Sequence, residues 1–249
     1  AFQGKGVTTW EGLIKSVRAK VKGTKVKIRL GASSGEWKAM VADEAARTTF
    51  AKNIKTVLEK NKLDGIDLDF EWAENEKEYK DYSLAILKMR EVLGNKYLFS
   101  VSLHPVCYKI SKEAIEAVDF ISLQCYGPSP VRFPIEKYCS DIQMVLEYGI
   151  PKEKLVAGVP FYGVTKDNSK KTEAYFNFVQ NGLVTSPAQN EVIYQGDTYV
   201  FDGQDNIRIK TRYAKEQKLK GMMSWDLATD LPLSDSRSLL KTMTEELRE

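Results

Sequence analysis

Short strand-like runs alternate with amphipathic helical stretches along nearly all of this 249-residue chain, and few folds accept that order. The runs that read as strands are 26–31 (VKIRLG), 65–71 (GIDLDFE), 98–104 (LFSVSLH), 119–126 (DFISLQCY), 155–162 (LVAGVPFY) and 221–227 (GMMSWDL). Helical patterns fill 9–22, 43–60, 76–93, 111–117, 135–148, 170–181, 208–218 and 235–248. In the second of these Phe50, Ile54, Val57 and Leu58 form one stripe behind Asp43 as N-cap. In the third, Tyr79, Tyr82, Ile86, Met89 and Leu93 do the same ahead of Gly94. Strands alternating with helices mean βαβ units and a parallel sheet. The exception is 183–206, where VIYQGDTYVFDG reads as a small β-hairpin inserted between the last two strands. No linker or low-complexity tract interrupts the order, so residues 1–249 read as a single domain.

The two faces of these strands differ. In 119–126, Ile121, Leu123 and Cys125 share one face while Ser122, Gln124 and Tyr126 share the other. In 98–104, Phe99, Val101 and Leu103 oppose Ser100, Ser102 and His104. A parallel sheet covered by helices on both sides is apolar on both faces. A closed barrel accounts for the polar face: one side packs on helices, the other points at the axis, and a site forms at the C-terminal strand ends. The expected fold class is α/β, a (β/α)8 TIM-type barrel. An open doubly wound sheet is the alternative, and it predicts no polar interior.

The polar face is densest in 65–71. Asp67, Asp69 and Glu71 alternate there with Ile66, Leu68 and Phe70, and on a strand such residues point to one side roughly 6.5 Å apart. Three carboxylates in a poorly solvated interior repel one another, so at least one proton is held at neutral pH. The plainer readings are a solvated acidic face, a salt-bridge network or an Mg²⁺ or Ca²⁺ site. The chemical reading is a general acid kept protonated by its neighbours.

Composition removes several function classes. With 37 basic and 34 acidic residues, a formal charge of +3 and no block of like charge, there is no electrostatic footprint for nucleic acid. No apolar run approaches the roughly 20 residues of a membrane span, and the opening AFQGKGVTTW has neither region of a signal peptide. Cys107, Cys125 and Cys139 are too few and scattered for a disulfide framework or a zinc site. A lone histidine, His104, cannot supply the ligand set of a metal-dependent hydrolase or deacetylase.

The stretch Asp64-Gly65-Ile66-Asp67-Leu68-Asp69-Phe70-Glu71 resembles the D-x-x-D-x-D-x-E signature of glycoside hydrolase family 18, the chitinases and endo-β-N-acetylglucosaminidases, at every fixed position. GVPFYG (158–163) resembles the end of that family's seventh strand, Gln124-Cys125-Tyr126 its sixth, and MSWDLATD (223–230) its eighth. The resemblance covers about residues 26 to 249. It implies that Glu71 is the general acid and then the base, that Asp69 holds the N–H of the substrate's 2-acetamido group, and that Asp67 backs Asp69. The acetamide oxygen would be the nucleophile, so the bond is cut with retention and no cofactor or metal is needed. Tyr126 would bond the acetamide oxygen and Trp225 would floor the sugar. Asp64, Gln124, Tyr162 and Trp37 complete the candidate substrate-binding set. The implied substrate is a β-1,4-linked N-acetylglucosamine polymer, chitin or its oligomers. The implied mode is endo-acting in an open cleft, because the insert between the last two strands is short. Such a substrate places a monomeric protein in a secreted, periplasmic or cell-surface setting.

Three departures accompany the match. Gly127 stands where the family usually has Asp or Asn after the Tyr of its sixth strand. Arg29-Leu30-Gly31-Ala32 stands where the third strand usually reads S-x-G-G, so Arg29 becomes a candidate partner for Asp64 or Asp67. Six strands are legible rather than eight. Residues 1–2 resemble the end of the family's second strand, which would leave the first β/α units outside the chain. Trp37 and Trp10 are open between sugar platform and packing residue, His104 between site wall and structural histidine. Cys125 reads as an inert core thiol. An endo-β-N-acetylglucosaminidase acting on N-glycan cores and a non-catalytic chitinase-like lectin are the rival functions. Glu71, which such lectins replace, is the residue that separates the second from an enzyme.

Overall fold

The computed structural model describes residues 10–33, 36–127, 133–167 and 171–249. The strand end read at residues 1–2 lies outside them. The chain forms two compact units, Ala1–Val101 with Ile110–Asp119 and Ser102–Lys109 with Phe120–Glu249.

The first unit holds α1 (Trp10–Lys20), β1 (Arg29–Ala32), α2 (Trp37–Ala42), α3 (Glu44–Asn61), β2 (Gly65–Leu68), α4 (Glu76–Leu93), most of β3 (Leu98–Leu103) and α5 (Lys112–Ala117). β2 lies between β1 and β3, parallel to both. Gly65 makes the second pairing possible, since a Cβ there would sit 1.9 Å from the Leu98 carbonyl oxygen. The helices start where the sequence signals them. Asp43 accepts the Ala46 N–H at 2.7 Å, Asn75 accepts that of Glu78 at 3.0 Å, and Gly94 closes α4 with φ +61°. Helix α2 is an addition to the sequence reading. Its ring at Trp37 packs with Phe70 and Tyr82, centroids 5.3 and 5.5 Å away, under the end of β2. Helix α1 carries Trp10, Leu13, Ile14 and Val17 at helical spacing, yet none of its residues is buried.

The second unit continues with β4 (Phe120–Leu123), α6 (Ile135–Tyr148), β5 (Leu155–Pro160), β6 (Tyr162–Thr165), β7 (Thr172–Ala174), α7 (Tyr175–Gln180), β8 (Glu191–Tyr194), β9 (Asp197–Val200), α8 (Gln204–Glu216), β10 (Gly221–Trp225) and α9 (Leu239–Arg248). β5 lies between β4 and β10 in parallel register. Strands β6 to β9 form a separate antiparallel sheet in the order β7-β6-β9-β8.

Four corrections follow. The run 155–162 is two strands: β5 ends at Pro160, and Tyr162 opens β6 in the other sheet. The insert is therefore more than a hairpin. The expected hairpin is β8–β9, turning at Gln195 and Gly196, both with positive φ. It is widened by β6 and β7 around buried Phe178, Tyr199 and Phe201. Helix α8 begins at Gln204, and α9 begins at Leu239 because Ser238 accepts the Lys241 N–H at 3.1 Å as its N-cap. The regular part of the carboxylate strand ends at Leu68 rather than Glu71.

Candidate active site

β2 stops where its neighbour stops. β1 ends at Ala32, and the last bond is from the Asp69 N–H to the Ala32 carbonyl at 2.9 Å. Asp67 therefore stands within the strand, while Asp69 and Glu71 follow on the segment beyond its C-terminal end. Asp67 and Asp69 are half-buried and Glu71 is exposed. Between them Phe70 is buried beneath Trp37, whose indole N–H donates to the Glu71 carbonyl at 3.1 Å. The backbone of Glu71 is thus held by the core while its carboxyl faces solvent.

Asp67 is anchored by charge. The Ser100 hydroxyl donates to Asp67 Oδ1, Arg29 Nη1 donates to the same hydroxyl oxygen, and Arg29 Nη1 lies 3.7 Å from Asp67 Oδ1. Register accounts for the meeting: Gly31 on β1 and Ser100 on β3 both lie opposite Asp67, and Arg29 shares the face of Gly31. Burial lowers the Arg29 guanidinium from its ordinary value, and the negative charges of Asp67 and Asp119 act against that. Of the two partners open to Arg29, Asp67 is the one it meets. Ser100 was not among the candidate residues. Its signal was its place on the polar face of 98–104.

Two candidates turn out to have other work. Asp64 lies at the opposite end of β2, where it accepts the Ile28 N–H at 2.8 Å and stands 3.7 Å from Lys27 Nζ. It closes the start of β1, apart from the other carboxylates. Trp37 is 2% exposed, and a ring already stacked on Phe70 at an interplanar angle of 12° has no face left for a sugar. Trp37 is a packing residue.

The aromatic candidates lie in the second unit. Gln124 and Tyr126 follow β4, both buried. The Tyr126 hydroxyl lies 3.9 Å from Met223 Sδ, and its ring meets that of half-buried Tyr162 edge-on at 6.4 Å. Gly158 lets β5 pass beneath this ring, since a Cβ there would lie 2.6 Å from the Leu123 carbonyl oxygen and 3.0 Å from Tyr126 Cε1. Trp225 ends β10 at 54% exposure. The peptide bonds Glu71–Trp72 and Trp225–Asp226 are both cis. His104 is buried, and its Nδ1 accepts the Val106 N–H at 3.2 Å, which fits the structural reading. Burial pushes the Cys125 thiol up to about 12, as expected of an inert core thiol.

The family profile described as "Glycosyl hydrolases family 18" matches residues 7–230. Among curated proteins, "Probable chitinase 2" of Drosophila melanogaster is 23% identical, over 83% of this chain and 56% of that protein. "Chitinase A1" of Niallia circulans is also 23% identical, over 79% of this chain and 39% of that protein, so the chain spans about half the length of these relatives. Among solved structures, a chitinase from Bacteroides thetaiotaomicron superposes with a TM-score of 0.83 at 22% identity, covering 94% of this chain and 80% of that one. Likeness at that level of identity shows the fold, an α/β barrel of the TIM type. With the profile matched across most of its length, the chain belongs to glycosyl hydrolase family 18.

Proposed function

We propose that this protein hydrolyses β-1,4 bonds beside N-acetylglucosamine in chitin or its oligomers, with retention and with the substrate's own acetamide as nucleophile. In this reading Glu71 protonates the leaving glycosidic oxygen. The acetamide oxygen attacks the anomeric carbon, and Asp69, as an anion, stabilises the cationic oxazolinium ring that forms. Glu71 then takes a proton from the water that opens the ring. Asp67 fixes Asp69 from behind. Tyr126 holds the acetamide oxygen, and Trp225 offers an apolar face to a pyranose, with Gln124 and Tyr162 as further contacts.

The observation that carries the reading is the segment from Asp67 to Glu71. It has an anchored carboxylate at the strand, a half-buried one beyond it, and a solvent-facing carboxyl whose backbone is pinned by Trp37. The relatives' names, all chitinases among the curated proteins cited, point to the same substrate class. The modest size of the β6–β9 insert supports an endo mode of cutting, and the polymeric substrate class supports action outside the cytoplasm, by what we take to be a monomer. The rival is a lectin. A chitinase-like agglutinin from Robinia pseudoacacia superposes with a TM-score of 0.78, at 19% identity over 95% of this chain and 84% of that one.

The test is Glu71→Gln. It keeps size and hydrogen bonding and removes the proton the leaving group needs. Turnover of N-acetylglucosamine oligomers should fall by about 10²–10⁴-fold, the usual worth of a general acid, with oligomer binding retained. Product lengths read by mass in the same assay report the mode, mixed lengths being expected for endo cutting. Binding by the wild type with no turnover at all would hand the site to the lectin reading.

A further inference from the structure

We infer that Lys38 is a positioning residue: its ammonium clasps the far end of the segment that carries Glu71, and so holds that carboxyl where the proposed reaction needs it. The kinetic consequence rests on the hydrolysis proposed above, but the clasp itself is a property of the first unit alone.

The segment depends on such a hold. Its last tie to β1 is the bond from the Asp69 N–H to Ala32, and α4 takes over only at Glu76. Glu71 lies between, with its carboxyl in solvent, so the direction of that carboxyl is set by the backbone on either side of it. Trp37 holds the near side through its N–H on the Glu71 carbonyl. The next residue of α2 holds the far side. Lys38 Nζ lies 3.0 Å from Glu74 Oε2 and 2.9 Å from Glu78 Oε2, and Glu78 Oε2 also accepts the Glu74 N–H at 2.8 Å. Glu74 is therefore fixed through its backbone and its side chain at once, one residue before the Asn75 cap of α4.

The element that supplies both holds is itself anchored. Helix α2 buries Trp37 and Val41, and Arg47 of α3 donates to the Val41 carbonyl. Two consecutive residues of one fixed helix thus reach the two ends of the stretch 71–74. The Glu78 carboxyl is held below its ordinary value, first by the Glu74 N–H and then by Lys38, while Glu78 and then Glu74 raise the Lys38 ammonium above its own. Lys38 and Glu78 accordingly remain an ion pair at neutral pH. For the fold as a whole the clasp does little: Lys38 and Glu74 are 36% and 76% exposed, and exposed pairs contribute little stability. Its effect is local. Without the ammonium, Glu74 and Glu78 face each other as like charges, and repulsion loosens the Glu74 end of the segment. A misplacement of about 1 Å at a reacting group can cost about 10²-fold in rate.

The experiment compares wild type, Lys38→Met, Lys38→Arg and the double variant Lys38→Met/Glu74→Gln by two readouts. The first is amide hydrogen exchange, which needs no activity. Exchange at Glu74 should quicken by about tenfold in Lys38→Met, stay near wild type in Lys38→Arg, and fall between them in the double variant, where the repulsion is gone. Exchange in β2 and β3 should not change, and the melting temperature should stay within about 4 °C of wild type. The second readout is kcat and KM on N-acetylglucosamine oligomers at low salt and at about 1 M NaCl. Lys38→Met should lower kcat by roughly tenfold and move KM by less than about twofold, with most of the loss restored in Lys38→Arg. High salt, which shortens the screening length to about 3 Å, should bring the wild-type kcat toward that of Lys38→Met and leave Lys38→Met nearly unchanged. Unmoved exchange at Glu74 in a folded Lys38→Met protein overturns the inference. So does quickened exchange in an enzyme whose kcat stays at the wild-type level, because the clasp then holds the loop without placing Glu71. Faster exchange throughout the unit makes Lys38 a general fold contact and overturns it too. Exchange quickened at Glu74 alone, in a protein that turns over no oligomer even as wild type, upholds the clasp and counts against the hydrolase reading.

Discussion

Gly127 has little room for a side chain. A Cβ there would stand 3.2 Å from His104 Nε2, tight enough that the imidazole must yield by a few tenths of an ångström. The family usually has a carboxylate or amide at this position, so the consequence of putting one back is worth stating. His104 Nδ1 accepts the Val106 N–H, which places the ring proton on Nε2, the atom facing Gly127. Gly127→Asp would therefore bring an acceptor to a donor. Crowding typically costs about 1–3 kcal/mol, and a charge-assisted hydrogen bond returns about 1.5–3 kcal/mol, so the expected change in stability is within about 2 kcal/mol of zero. Gly127→Leu meets the same crowding with no acceptor and should lose the full amount. Because His104 is the only histidine in the chain, the imidazole ¹⁵N spectrum of untagged protein reports on this one ring. The Asp variant should shift its Nε2 signal, and the Leu variant should lower the melting temperature. A spectrum unchanged in Gly127→Asp would mean the carboxylate turns elsewhere.

Among the elements, the last helix shows how much of its start is set from outside. Asp230 accepts the Ser238 hydroxyl at 2.8 Å and the N–H groups of Leu239 and Leu240 at 3.0 and 2.9 Å, so a distant carboxylate satisfies donors that open α9. Asp230→Ala should cost about 2–3 kcal/mol, combining a lost cap with buried donors left unmet. Amide exchange at Leu239 and Leu240 should quicken ahead of the rest of α9, while Asp230→Asn keeps much of the protection. Equal exchange rates in Asp230→Ala and wild type would remove the clasp. This also shows why the sequence placed the helix start at 235 instead of 239: the periodic apolar stripe was legible, but its boundary depended on a residue outside the helix. Asp43 and Asn75, by contrast, cap helices that follow them directly, and such local signals can be read. The carboxylate strand divides the same way. Alternation put Asp67, Asp69 and Glu71 on one face. That regular pairing stops at Leu68 follows from where β1 ends, and that Arg29 reaches Asp67 follows from the register between strands.

At the scale of the molecule, the alternating pattern and the D-x-x-D-x-D-x-E run were enough for fold class and family. The insert was not, because the contacts that build it join segments far apart in sequence. Its anchor is Lys210. From α8, the Lys210 ammonium donates to Asp202 Oδ2 at 2.6 Å, just past β9, and to the Phe133 carbonyl at 2.7 Å, in the stretch between β4 and α6. Both side chains of the Lys210–Asp202 pair are fully buried, and Tyr138, whose ring lies 5.5 Å from the ammonium, donates its hydroxyl to the Lys210 carbonyl at 3.1 Å. One cation thus ties three segments together, and nothing in the pattern of 208–218 marks it off from the solvent-facing lysines nearby. A buried pair adds little net stability over an apolar substitute, but removing one partner leaves an uncompensated charge, which costs about 3–5 kcal/mol. Asp202→Asn removes the charge and keeps the shape, so it should carry that cost. For a chain of this size each kcal/mol lowers the melting temperature by roughly 2–4 °C, giving an expected fall of roughly 6–20 °C in a calorimetric scan. Lys210→Met alone should do comparable damage by stranding the carboxylate. The double variant should lose clearly less than the sum of the two, since neither charge is then left without the other. Two single variants that melt within a degree of wild type, or a double variant that loses their full sum, would show that the pair is not what holds these segments together.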